Sequence, residues 1–83
     1  MDITVYGNDG CPECDTMKEW LDGKSLAHNY YKMDDLSEGF RTEHSEEILA
    51  VMVEYSFTNA LPIVVVGLAA YSAENAKEVL CQI

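Results

Sequence analysis

The period of the apolar positions changes several times along the chain, and each change marks an element. Ile3-Thr4-Val5-Tyr6 alternates as a short strand does and stops at Gly7. Gly7-Asn8-Asp9-Gly10 has the residue chemistry of a loop. Cys14, Met17 and Leu21 then recur at helical spacing, with Trp20 beside them, which predicts a helix. Pro12 suits its first position, where a missing N–H costs nothing, and Gly23 suits its stop. His28 to Met33, rich in aromatics, reads as a second strand ending at Asp34-Asp35. A polar stretch follows from Leu36 to Ser45. Glu46 and Glu47 favour a helix start by the dipole, and Ile48, Leu49, Met52 and Val53 are expected to form its apolar face, to about Tyr55–Phe57. Gly39 weakens any earlier start. Ile63-Val64-Val65-Val66 is a continuous β-branched run, the pattern of a strand buried on both faces. Gly67 breaks it, Leu68 to Tyr71 reads as a stubby fourth strand, and Ser72 is placed to cap a last helix carrying Ala76, Val79, Leu80 and Ile83 on one face.

The order is thus β-α-β-α-β-β-α with a shortened last hairpin. Strands alternating with helices predict an α/β fold, a small mixed sheet flanked by helices and containing a parallel pair. At 83 residues the chain is expected to form one domain, residues 1–83. Its apolar fraction of 48% fits a folded globular chain. No apolar run approaches the ~20 residues that cross a bilayer. The first residues show no basic start or apolar signal core, so the cytoplasm is the expected compartment.

Charge changes the picture of partners. Five basic residues against fifteen acidic ones give a net charge of −10. Phosphate binding needs clustered Lys and Arg, so neither nucleic acid nor an anionic membrane is an expected partner. A protein with a basic patch would be attracted.

The chemistry lies in three cysteines, two of them in Cys11-Pro12-Glu13-Cys14. An odd count argues against a structural disulfide framework, and the C-x-x-C spacing points to redox chemistry or metal binding. A closed zinc site needs four ligands, and His28, His44 and Cys81 are scattered, so no metal site is expected. On the predicted map Cys11 opens the first helix, where free N–H groups and the dipole stabilise a thiolate, the attacking species in disulfide exchange. Cys14 lies one turn on and faces inward, within reach of the sulfur of Cys11. Asp9, Glu13 and Asp15 oppose the dipole by like charge, with Lys18 the nearby cation in sequence.

Val5-Tyr6-Gly7, Gly10-Cys11-Pro12-x-Cys14 and the helix to Leu21 resemble the glutaredoxin family of the thioredoxin fold. Leu61-Pro62-Ile63-Val64-Val65 independently resembles the family's segment in which a cis-proline faces the dithiol. The resemblance implies a compact dithiol glutaredoxin-like redoxin, a thiol–disulfide oxidoreductase with Cys11 as nucleophile and Cys14 as resolving thiol. It implies substrate contacts at Pro12, at Leu61 through its backbone, at a cis Pro62, and at Tyr6 on the rim. Ser72, at the last helix start, would hold a carboxylate of glutathione. No tightly bound cofactor is implied. Glutathione is the expected reductant and disulfide-containing proteins the expected clients, ribonucleotide reductase among them; the protein itself is expected to be a monomer.

The chain departs from the family pattern at three places. Asn8, Asp9 and Gly10 precede the dithiol, where many glutaredoxins have a basic residue. Glu13 stands inside the dithiol loop, where many glutaredoxins have an aromatic residue. Ala69-Ala70-Tyr71-Ser72 replaces the Gly-Gly pair before the last helix. These departures keep two alternatives open: a glutaredoxin-like thioredoxin reset by thioredoxin reductase, and a non-catalytic module binding a metal or partner through the dithiol. Without the resemblance, Pro62 reads as a trans proline at a strand start. Arg41 is expected to pair with a neighbouring acid or to hold a glutathione carboxylate, Trp20 to pack on the first helix, and Cys81 to be an exposed bystander.

Overall fold

The computed structural model describes residues 2–82. The first strand, β1 (Ile3–Gly7), is buried along its whole length. It lies inside a four-stranded sheet of order β2-β1-β3-β4. β2 (Asn29–Lys32) runs parallel to it, so the chain must cross over between them, and α1 (Pro12–Gly23) is that crossover. β3 (Ile63–Val66) runs antiparallel to β1 on its other side, pairing Tyr6 with Ile63 and Ile3 with Val66. β4 (Ala69–Ser72) closes the sheet as a hairpin with β3. Gly67 opens the two-residue turn with φ +64°, a conformation that glycine adopts without steric cost.

Alternation along β1 and β3 sends side chains into two cores. Ile3, Val5 and Val64 pack with Met17 and Leu21 of α1 and with Ala76 and Leu80 of α4 (Ala73–Cys81). Tyr6, Ile63 and Val65 pack on the other face with Val51 of α3 (Ser45–Thr58), flanked by Ile48, Phe40, Met33 and Leu36. The molecule is a three-layer α/β/α arrangement. β3 is buried on both faces, as its unbroken β-branched run predicts.

Three expectations need correction. The second strand is shorter than His28–Met33, because Met33–Asp35 turns as a 3-10 helix. The polar stretch after it contains a helix, α2 (Glu38–Glu43), despite Gly39. Ser37 caps it by accepting the Phe40 N–H at 3.1 Å. Phe40 anchors it between Tyr31 and His44, at centroid distances of 4.7 and 4.2 Å.

The third correction concerns α3. Of its expected apolar face only Ile48 turns toward the sheet, beside a fully buried Val51. Leu49, Met52 and Val53 point outward at 65%, 49% and 49% exposure. Residues two positions apart on a helix lie ~200° apart, so burying Val51 turns Leu49 and Val53 away. The helix ends at Asn59, whose φ of +52° is one asparagine tolerates.

Elsewhere the sequence reading agrees closely. α1 runs from Pro12 to Gly23 with Cys14, Met17 and Leu21 inward. Ser72 caps α4, its oxygen accepting the Asn75 N–H at 3.3 Å. Trp20 packs against the first core, and Cys81 is exposed. Ile83, expected on the α4 face, lies outside the described residues. Among those residues no helix is long and apolar enough to cross a membrane.

Candidate active site: the dithiol at the start of the first helix

Cys11 is the N-cap of α1, with extended backbone angles, and Pro12 follows in the first turn. Cys11 offers two acceptors to one helix-start donor. The Cys14 N–H approaches both the Cys11 carbonyl, at 3.1 Å, and the Cys11 sulfur, at 3.2 Å. The Cys11 sulfur thus sits at the positive end of the α1 dipole. Cys11 and Cys14 are joined by a disulfide, with Cα atoms 5.3 Å apart. The two sulfurs are not equivalent. Cys14 is fully buried, and Cys11 is partly open to solvent.

Across from the dithiol, the Leu61–Pro62 peptide bond is cis. The Leu61 carbonyl oxygen lies 3.9 Å from the Cys11 sulfur. Pro62 itself is buried, so the half-buried Leu61 is the residue that presents backbone here.

A groove of about 460 Å³ runs beside this pair. Glu13, Thr16 and Met17 of α1 form one wall, and Thr58, Ala60, Leu61 and Pro62 form another. The start of the last helix, Ser72, Ala73 and Glu74 with Lys77, closes it. Lys77 is the one cation of the lining, against the carboxylates of Glu13 and Glu74. Ser72 thus lines the groove with its oxygen already engaged as a cap.

Tyr6 is not on the rim. Its ring is fully buried on the α3 side of the sheet, away from the dithiol helix, and its hydroxyl donates to a Glu47 carboxylate oxygen. Burial first, and then that hydrogen bond and the Glu47 charge, push its phenol far above the ordinary tyrosine range. The register explains the placement: Tyr6 follows Val5, so its side chain must take the opposite face.

Two further residues shape the site without having stood out in the sequence. The Lys32 ammonium lies 2.9 Å from the Asp9 carboxylate. That hydrogen bond, and then the Asp9 charge, raise the lysine above its usual range. With Lys18 3.5 Å from Asp15, two of the three acids around Cys11 have a counter-charge, and Glu13 has none within 4 Å among the described residues. Lys32 meets Asp9 because the parallel register places Gly7 beside Lys32. The second residue is Gly7, which supports Cys14 from below. A Cβ built there would stand 2.6 Å from the Cys14 sulfur. The sequence marks Gly7 as the strand stop and as part of the Val5-Tyr6-Gly7 motif, and gives no sign of its contact with Cys14.

Arg41 is exposed on α2, does not line the groove, and makes no ion pair within 4 Å among the described residues. Among those residues no three His, Cys, Asp or Glu side chains converge to hold a metal ion.

The arrangement is that of the thioredoxin-like fold, and comparison with solved structures agrees. A glutaredoxin from Archaeoglobus fulgidus superposes with a TM-score of 0.57 and 23% identity, over 95% of this chain and 85% of that one. A thioredoxin-like protein gives 0.66 and 20%, over 95% and 99%. The NrdH-redoxin of Escherichia coli, described as a glutaredoxin-like protein with a thioredoxin-like activity profile, gives 0.55 and 22%, over 87% and 82%. No protein-family model and no curated protein matches the chain. At these identities the likeness establishes the fold, and the glutaredoxin resemblance of the sequence finds glutaredoxin-type structures among its neighbours.

Proposed function

We propose that the chain is a dithiol thiol–disulfide oxidoreductase that reduces disulfides of client proteins in the cytoplasm. The observation that carries this reading is the asymmetry of the pair. An accessible sulfur sits on a helix N-terminus, with a buried partner sulfur one turn behind it.

In the reduced protein the Cys11 thiolate attacks one sulfur of a client disulfide. The client S–S bond breaks, a Cys11–client mixed disulfide forms, and the other client sulfur leaves as a thiolate that takes a proton. Cys14 then loses its proton and attacks the Cys11 sulfur. The mixed disulfide breaks, the Cys11–Cys14 bond forms, and the client leaves with its second thiol. Two electrons have passed to the client, and an external thiol system must return them. The Leu61 backbone beside Cys11 is placed to hold an extended client segment, and Pro12 and Pro62 border it. Ribonucleotide reductase is a client that the family resemblance suggests.

Glutathione is the reductant that the same resemblance suggests, with the Ser72 helix start as its carboxylate contact; Lys77 is the cation the groove places nearby. Glu13 and Glu74 in the same groove repel an anionic tripeptide. They favour the second reading, a glutaredoxin-like thioredoxin reset by thioredoxin reductase.

An NADPH-coupled disulfide-reduction assay separates the two, with glutathione plus glutathione reductase in one arm, thioredoxin reductase in the other, and Cys11→Ser as control. Turnover in either arm, abolished by Cys11→Ser, supports the oxidoreductase reading and identifies the electron source. Silence in both refutes it in favour of a binding module.

A further inference from the structure

α3 is apolar along much of its length, yet among the described residues only the sheet and the short α2 pack against it. Its inner face, with Val51, packs on the sheet. Its outer face carries Leu49, Met52, Val53 and a Phe57 that is 79% exposed. A helix with this composition is normally covered on both sides. The strip is continuous in space. Leu49, Ala50 and Val53 form a shallow depression with Ala70 of the edge strand β4. A second hollow shares Ala50 and Glu46 with it and reaches Leu68, which is fully exposed. At the other end Phe57 precedes Thr58, which lines the groove beside the dithiol.

The charge around the strip is of one sign. From Thr42 to Ala76 the chain has no Lys or Arg, while Glu46 and Glu54 border the depression itself. A second copy, also at −10, would meet like charge. An anionic surface would be repelled in the same way.

We propose that the outer face of α3, with Leu68 and Ala70, is a docking surface for the apolar, Lys/Arg-flanked segment of a redox partner protein while its disulfide or dithiol reacts at Cys11. The proposal rests on the oxidoreductase reading for its purpose, and on the exposed strip and its charge for its location. Apolar contact holds the partner, and the carboxylate rim selects and steers it. Leu49 to Phe57 spans ~12 Å along the helix, so one partner segment can cover the strip and still reach the dithiol through a short linker.

The probe is a synthetic peptide with a Leu- and Phe-containing segment flanked by Lys and Arg. It is joined to a cystine by about eight residues, which extend to ~26 Å. A matched peptide has Glu in place of Lys and Arg. A third form has serines in place of the cystine and reports binding alone, by fluorescence anisotropy. The tested variant is Leu49→Ser with Val53→Ser; both side chains are outward, so its urea stability should stay near that of the parent. Reduction of 2-hydroxyethyl disulfide, too small to reach α3, reports the dithiol itself.

The expected result is about tenfold tighter binding of the basic peptide than of the acidic one. About a tenfold loss of binding and of kcat/KM for the basic peptide is expected in the variant, as for truncated interface anchors. The 2-hydroxyethyl disulfide rate should not change. Equal binding by parent and variant, or equal binding of the two peptides, overturns the proposal. So does self-association of the parent that the variant abolishes. Failure to reduce any disulfide, with the binding pattern intact, refutes the oxidoreductase reading and leaves the docking surface standing.

Discussion

Replacing Gly7 with alanine tests the packing beneath the dithiol. The new Cβ would lie 2.6 Å from the Cys14 sulfur, 2.7 Å from the Tyr30 hydroxyl oxygen and 3.1 Å from the Cys14 Cβ. Carbon contacts are comfortable at ~3.5–4.0 Å, so the overlap approaches 1 Å on two sides. Tyr30 can swing, because its hydroxyl has only a long 3.5 Å contact to the Asn8 carbonyl. Cys14 is held by the first turn of α1 and by its bond to Cys11. β1 is held between β2 and β3. Overpacking of a close-packed core costs ~1–3 kcal/mol, and with so little able to yield about 2 kcal/mol is expected. For a domain of this size that lowers Tm by about 8–16 °C. Gly23→Ala and Gly39→Ala provide the opposite sign. Both glycines are helical with open space where a Cβ would go, so alanine should stabilise by ~0.4–1 kcal/mol. Urea unfolding of the oxidised protein at neutral pH measures all three. Gly7→Ala within about 0.5 kcal/mol of the parent, or shifted in the same direction as the two controls, would refute this account of the site's floor.

Tyr6→Phe removes the hydrogen bond to Glu47 and should cost about 1 kcal/mol at neutral pH. Because the Tyr6 phenol is held above its ordinary value of 10.0, the folded protein keeps a proton that the unfolded chain releases. Its contribution is fully present below pH 10.0 and is lost as pH rises beyond that. Stability measured from roughly pH 9 to 11 should therefore fall less steeply in the variant, and equal slopes would contradict the assignment. On α3, Val51→Ala should cost about 2 kcal/mol by transfer and cavity together. Val53→Ala should stay within about 0.5 kcal/mol. Equal losses in denaturant melts would mean that the two faces of the helix are assigned wrongly.

The departures from the sequence reading share a cause. The expected α3 face rests on neighbours in sequence, and neighbours in space decided it. The α3 pattern fits either face as the inner one, because Leu49, Met52 and Val53 are as apolar as Ile48 and Val51. The sheet surface of Tyr6, Ile63 and Val65 made the choice. α2 has one apolar anchor, Phe40, too little for a periodic signal. Its stability comes from the Ser37 cap and from aromatic rings on β2 and at His44.

By itself the sequence determined the features that depend on bonds and angles within a few residues. Pro12 and Gly23 bound the first helix through backbone geometry. The spacing of Cys11 and Cys14 sets one sulfur on the helix start and the other a turn inside. The β-branched run Ile63–Val66 and Gly67 define the β3–β4 hairpin, and Ser72 caps the last helix. Only the tertiary structure decided what depends on register and on the choice of face. It put Tyr6 under α3 instead of on the rim and paired Asp9 with Lys32 across the parallel strands. It also pressed Gly7 against Cys14 and left an apolar face of α3 in solvent. Local geometry is written residue by residue, whereas contacts between distant residues exist only once the sheet has fixed which side chains share a layer.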